Sequence, residues 1–156
     1  SEDYFKDQWS HLSRDLEYVM HLSAESARIL DKIQSSKASV AVHFRTMDYR
    51  HALPADYYSR AFEHLNNYIA EAHYMIFADS PGSINPDLFS GLNYTTVHTG
   101  DDREDFFLMS SCQHQILANS TYSWWAAYLN KNAGKIIVNP KRWGFNIKMP
   151  RSWLSI

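Results

Sequence analysis

Apolar residues fall into two alternating patterns along the chain. From residue 1 to about 34, Leu12, Leu16, Val19, Ala27, Leu30 and Ile33 recur mostly at spacings of three, four and seven, which predicts one or two amphipathic helices. Ser35-Ser36 interrupts them. Ser39-Val-Ala-Val-His43-Phe44 then forms a short continuous apolar run, the pattern of a buried strand. Leu53-Pro54-Ala-Asp56 opens a helix with proline in its first turn, and Phe62, Leu65, Ile69 and Ala72 continue one face of it. A second strand is predicted over 74–78, ending at Asp79-Ser-Pro-Gly82. A loop or short helix at 86–89 leads to a third strand over 94–98. Asp101-Asp102 caps a helix over 103–112, and a fourth strand follows at 116–118. Tyr122, Trp125, Ala126 and Leu129 line one helical face, and a fifth strand covers 135–138. The tail carries Trp143 and Trp153. Five short strands alternating with helices predict an α/β fold, a parallel sheet flanked by helices.

Open parallel sheets bind ligands beyond the carboxyl ends of their strands, where the strand order reverses. The pattern places Arg45, Asp79 and Ser120-Thr121 on that edge. The polar turn Asn119-Ser120-Thr121 sits between a strand and a helix, so the open amides and positive dipole end of that helix form an anion site. An ordinary capped helix with Trp124 and Trp125 in the core fits the same letters. An arginine directly after a strand can clamp a phosphate with two parallel hydrogen bonds; the alternative is a pair with Asp48. A charge-assisted hydrogen bond is worth about 1.5–3 kcal/mol against roughly 0.3–1 kcal/mol for an exposed helix end, so Arg45 dominates any phosphate affinity. His43 lies inside an apolar run, either bonded to backbone or facing a ligand. Asp105, in the first turns of its helix, either complements the dipole or contacts a ligand, and Asp48 and Asp79 are turn or pocket residues.

Composition narrows the classes. The 156 residues fit one domain, and 45% apolar with 15% aromatic content provides a core. A net charge of −2 with 15 scattered Lys and Arg argues against nucleic acid or an acidic membrane as partner. Cys112 is the single cysteine, so no internal disulfide forms, and it is expected as a small apolar filler in its helix. No window approaches 18 apolar residues and no signal peptide is visible. The first residue is Ser1 rather than methionine, so a piece of a longer protein is expected. The eight histidines show neither H-x-H nor H-E-x-x-H spacing, and no G-x-G-x-x-G, Walker loop or G-x-S-x-G occurs. Asp101-Asp102 is better explained as a helix cap than as an acidic metal pair.

Several segments together resemble the α-1,2-fucosyltransferase family. Val40-Ala-Val-His43-Phe-Arg45-Thr46-Met47-Asp48-Tyr49 is similar to its H-x-R-R-G-D-Y motif, and Tyr74-Met-Ile-Phe-Ala-Asp79-Ser80 to its F-S-D-D block. The long stretch from Asp105 through His114, Asn119-Ser120-Thr121 and Trp124-Trp125 to Asn130 resembles a third block. Lys135-Ile-Ile-Val-Asn-Pro140-Lys-Arg-Trp143 resembles the closing strand and loop, and Ser1-Glu-Asp-Tyr4-Phe5 a segment that lies mid-chain there. The resemblance covers essentially all 156 residues.

It implies a GT-B-like transferase whose C-terminal Rossmann-like half, here residues 1–156 with a helical segment over about 1–35, binds GDP-fucose without a metal or other cofactor. His43 and Asp105 would contact guanine, Arg45 would hold the β-phosphate with Ser120 and Thr121 supplying donors beside it, Asn119 would belong to the same binding turn, and Asp48 and Asp79 would shape the pocket. The implied reaction is inverting transfer of L-fucose to the 2-hydroxyl of a galactose-containing glycan, with Arg45 stabilising the leaving phosphate. The motifs assign no general base. Thr46-Met47 stands where the family has Arg-Gly, which removes one cation near the diphosphate, and the family's N-terminal acceptor-side half is absent. A second copy of the chain or that missing half is the expected protein partner, and a bacterial cytoplasm is the expected compartment, with the Golgi lumen as alternative. Two other readings stay open: a non-catalytic binding or interaction module on the same fold, and a transferase using another GDP-sugar.

Overall fold

In the computed structural model the described residues are 7, 21–46, 52–143 and 148–156. Helix α1 (Ala24–Ser35) precedes β1 (Ala38–Phe44), α2 (Ala55–Asn66) and β2 (Ala72–Ala78). Two 3-10 turns, Pro81–Ser83 and Pro86–Phe89, lead to β3 (Tyr94–Val97), α3 (Asp102–Ser111) and β4 (His114–Ile116). The chain ends with α4 (Thr121–Leu129), β5 (Ile137–Asn139) and β6 (Leu154–Ser155). The strands form one sheet in the order β3-β2-β1-β4-β5-β6, and every neighbouring pair is parallel. This is the order of doubly wound nucleotide-binding sheets, in which the chain steps outward from β1 and then returns to its other side through β4. The fold is an α/β, Rossmann-like sheet flanked by helices.

All seven residues of β1 are buried, because alternate side chains enter two different layers. Val40, Val42 and Phe44 pack with Tyr57, Tyr58, Ala61, Phe62 and Leu65 of α2. Ala41 joins Ile33 of α1, Leu108 and Met109 of α3 and Ala126 of α4 on the opposite face. Each large apolar side chain so buried contributes about 1.5–3 kcal/mol. A carboxylate fixes α1 to α3: Glu104 accepts from Ser23 N and Ser23 Oγ, both at 2.7 Å, and from Ser26 Oγ. Those hydrogen bonds, Ser26's first, hold its pKa below the usual carboxylate range.

The observed elements differ from the sequence pattern in instructive places. A sixth strand, Leu154–Ser155, pairs with β5, and a segment of two residues carries no periodic signal. Strand β4 begins two residues before the apolar run at 116–118. Gln115 is fully buried within it, its Nε2 donating to Met109 O at 2.9 Å and Ala126 O at 3.4 Å. Leu117 and Ala118 are buried in the connection, where Leu117 N still donates to Val138 O at 2.9 Å. The fifth strand likewise starts at Ile137 instead of Lys135.

Helix α4 does not present the single stripe of Tyr122, Trp125, Ala126 and Leu129. Its buried residues are Ser123, Trp124, Ala126 and Ala127, because Ala126 faces α1 and α3 while Trp124 and Ala127 face Trp143 and Trp153. Pro54 is the N-cap of α2, one position before its first helical residue. Cys112 caps the end of α3; it is fully buried, which pushes its thiol pKa up. Asp101 does cap α3, accepting from Arg103 N at 2.8 Å. Of the N-terminal helical segment, Ala24–Ser35 is observed, and most of residues 1–20 lies outside the described residues. Among the described residues no helix is long and apolar enough to cross a membrane.

Candidate functional site

The connections leaving β1 and β4 run to opposite sides of the sheet, which opens a crevice at the carboxyl ends of these two neighbours. Strand β1 delivers His43, Arg45 and Thr46 there, and the loop after β4 delivers Asn119, Ser120 and Thr121. Two consecutive tyrosines of α2 pin both strand ends. Tyr58 OH donates to His43 O at 3.0 Å, and Tyr57 OH donates to Leu117 O at 2.7 Å. Burial raises both phenol pKa values, so each stays a neutral donor.

His43 is 7% exposed, and burial lowers its pKa to about 4. The nearby Asp79 carboxylate opposes that shift and the Arg45 guanidinium adds to it. The imidazole is therefore neutral at neutral pH. Its Nδ1 is buried and has no hydrogen-bond partner among the described residues, so the backbone-bonded alternative does not account for that nitrogen there. The ring lies 5.6 Å from that of Tyr122, which meets Phe106 edge-on at 5.3 Å and donates its hydroxyl to Asp102 O at 2.6 Å.

Ser120 begins α4 through its backbone, its carbonyl accepting from Trp124 N at 3.0 Å. Its side chain makes no capping bond; Oγ is buried, on a residue 3% exposed, and has no partner among the described residues. A buried polar atom left unpaired costs about 1–3 kcal/mol, so folding alone disfavours both Ser120 Oγ and His43 Nδ1. The start of α4 is also electrically open, with no acidic residue in its first turn. Helix α3 is the counterexample: Asp102, Glu104 and Asp105 fill its first turn and offset its dipole.

Arg45 is exposed, and among the described residues its guanidinium is held by no ion pair. The residue after it is tied down: Thr46 N and Oγ1 donate to Asp79 Oδ1 at 2.8 and 2.5 Å. Arg45 and Thr46 border an open cleft of about 460 Å³ on the α2 side of the sheet, floored by Phe44 and Tyr58 and walled by Ser83, Asn85 and Asp87. Neither Ser120 nor Thr121 lines this cleft, so the cavity that Arg45 borders is not the one expected between it and residues 120–121.

Asp105 sits in the first turn of α3, where Oδ1 accepts from Thr99 N at 3.1 Å and Thr99 Oγ1 at 2.9 Å. Partial burial nevertheless raises its pKa. Its charge also helps raise the Tyr122 phenol pKa, which puts it on the His43–Tyr122 side of the edge. Asp48 lies outside the described residues. The sequence pattern does not mark Tyr57, Tyr58 and Tyr122 as site residues. An adjacent Tyr-Tyr pair on a helix gives no sign that both hydroxyls reach strand ends, and Tyr122 reads as one more apolar position. No group of three or more His, Cys, Asp or Glu suited to a metal occurs among the described residues.

Comparison with known proteins gives this geometry a context. The chain is 35% identical over 117 residues to an O-antigen biosynthesis glycosyltransferase, WbnK, of Escherichia coli, a match covering 67% of this chain and 39% of that protein. It is 26% identical over 156 residues to an alpha-1,2-colitosyltransferase of E. coli, covering 92% of this chain and 53% of the relative. The chain thus spans about half or less of the length of these relatives. A solved chain described as trehalose-6-phosphate from E. coli bound with UDP-2-fluoro glucose is similar at a TM-score of 0.48 and 11% identity, over 79% of this chain and 33% of that one. The family profile of glycosyl transferase family 11 matches residues 3–146, nearly the whole sequence, and the chain belongs to that family.

Proposed function

We propose that this chain is the donor-binding half of a GT-B glycosyltransferase that moves L-fucose from GDP-fucose to the 2-hydroxyl of a galactoside, with inversion and without a metal. The observation that carries the reading is the pair of buried, unpartnered polar atoms, His43 Nδ1 and Ser120 Oγ, flanking the strand end that bears the exposed Arg45. In this reading guanine lies beside His43, Tyr122 and Asp105, and Asp105 retains Oδ2 for the base while Oδ1 serves Thr99. The diphosphate spans from the start of α4 to Arg45, and the sugar enters the cleft beyond Arg45. Departure of GDP builds negative charge on the β-phosphate. The Ser120 hydroxyl and the first amides of α4 are donors set in place by the fold, Arg45 adds a guanidinium from a backbone anchored on both sides, and removing one such donor in comparable sites costs on the order of 10²–10³ in rate.

A second reading has its own support. One relative is named for colitosyl transfer, so the sugar handled within this family is not uniformly fucose, and the donor here is then a different GDP-sugar.

The test is calorimetry with GDP, GDP-fucose, GDP-mannose and UDP. The account predicts that GDP binds, that UDP does not, and that GDP-fucose exceeds GDP-mannose. It also predicts that Arg45→Ala weakens GDP by about 10- to 150-fold, the equivalent of one charge-assisted hydrogen bond. Equal affinity for GDP and UDP would remove the guanine site, and an unaffected Arg45→Ala would remove the phosphate site. Incubating the chain with labelled GDP-fucose and a galactoside separates a working transferase from a donor-binding module.

A further inference from the structure

The end of β1 carries a device that the motif reading treats only as a loss. Register pairs Phe44 with Ala78 as the last residues of β1 and β2. Immediately beyond, the two strand ends are tied again by Thr46, whose backbone N and side-chain Oγ1 both donate to the same oxygen of Asp79. Arg45 is the single residue between the last register pair and this cross-tie, so its backbone is fixed on both sides while its side chain remains exposed. The Asp79 carboxylate is close enough to oppose the burial-driven lowering of the His43 pKa and to add to the burial-driven rise at Tyr58, which places a negative charge beside the strand end. An anion site gains nothing from that charge by itself. An acceptor with two donors aimed at one oxygen gains rigidity.

We propose that Asp79 and Thr46 are positioning residues: their cross-tie holds Arg45 at the angle from which its guanidinium receives a phosphate. This rests on the reading that Arg45 binds the diphosphate. It assigns Thr46 a task specific to a short hydroxyl, which reaches Asp79 from beside the backbone, whereas an arginine there would engage the carboxylate only through its distant guanidinium.

Four variants and GDP calorimetry, extended to millimolar ligand, test the inference alongside thermal melting. Thr46→Val keeps the shape and loses Oγ1, and is expected to weaken GDP about tenfold, as for one hydrogen bond to a charged group. Thr46→Ser is expected to restore affinity to within about twofold. Asp79→Asn keeps Oδ1 as acceptor and removes the charge, so affinity holds or rises, whereas Asp79→Ala falls as far as Thr46→Val. The decisive comparison places Thr46→Val in the Arg45→Ala background. A positioning role predicts no further loss of GDP affinity there, while any melting shift from Thr46→Val is the same in both backgrounds. An undiminished GDP affinity in Thr46→Val, or a loss that persists without Arg45, overturns the inference and leaves the phosphate role of Arg45 standing. Equal GDP binding by the native chain and Arg45→Ala removes that role, and the inference with it.

Discussion

Three histidines lie at or one residue inside the ends of strands of this sheet, and their surroundings differ by edge. At the amino edge, His73 near the start of β2 has both ring nitrogens engaged, Nδ1 with Ser36 Oγ at 3.1 Å and Nε2 with Thr95 Oγ1 at 2.9 Å. His114, first in β4, accepts from Ile136 N at 3.0 Å through Nδ1. The same edge holds a reciprocal pair, with Ser39 N donating to Gln113 Oε1 at 3.0 Å and Gln113 N donating to Ser39 Oγ at 3.1 Å. At the carboxyl edge, His43 is more deeply buried than either and has an idle Nδ1, and Ser120 Oγ is idle as well. The amino-edge groups just named are consumed by the fold, and among the described residues His43 Nδ1 and Ser120 Oγ at the other edge are held ready; Gln115 Oε1, second in β4, is also left over. A parallel sheet thus marks its binding edge by where buried hydrogen-bonding capacity is left over.

The largest effect that separates the two edges is on ligand affinity. His43→Phe fills nearly the same space without a polar atom, so it is expected to weaken GDP about tenfold while the melting temperature holds or rises, because an orphaned buried nitrogen costs about 1–3 kcal/mol. A lower melting temperature with unchanged GDP affinity would make His43 a structural residue like His73. The variant also changes the pH response. The folded pKa of His43, about 4, lies below its ordinary 6.5, so between those values the unfolded chain binds more protons and stability falls as pH drops from 6.5 toward 4. His43→Phe removes that slope. Glu104, whose pKa is depressed by the Ser26 and Ser23 hydrogen bonds, adds its own loss of stability only as pH falls below its ordinary 4.5. Denaturant titrations at several pH values between 4 and 7 distinguish the two.

The smaller effect is at the amino edge. His73→Phe deletes two side-chain hydrogen bonds at a half-buried position and is expected to cost about 1–2 kcal/mol in urea unfolding, with GDP affinity within twofold of the native chain. A tenfold loss of GDP affinity from His73→Phe would erase the distinction between the edges.

The sequence made the sheet legible because β1 and β2 are continuous apolar runs and each is followed by a polar residue, Arg45 or Asp79, at the strand end. The strands that depart from the apolar pattern are those where tertiary contacts replace apolar letters. Gln115 sits inside β4 because two carbonyls from α3 and α4 receive its amide, and β6 exists because Trp153 and Ile156 are drawn onto β5. The site was legible in part. Arg45 and the turn at 119–121 belong to one edge, as their positions after neighbouring strands require. Which face of that edge each side chain takes was not legible, and Arg45 borders the α2-side cleft while His43 meets Tyr122 on the other side. Thr46 illustrates the same limit, since a lost cation is visible in the letters and a cross-tie to Asp79 is visible only in three dimensions.

The most direct test of the whole account is a long-range ¹⁵N–¹H spectrum of the histidine side chains recorded while GDP is added. The account predicts that the His43 ring nitrogens shift as GDP saturates, as Nδ1 acquires a partner, while those of His73 and His114 stay where they were. A His43 signal that GDP leaves in place, or equal shifts at His73 and His114, would contradict it.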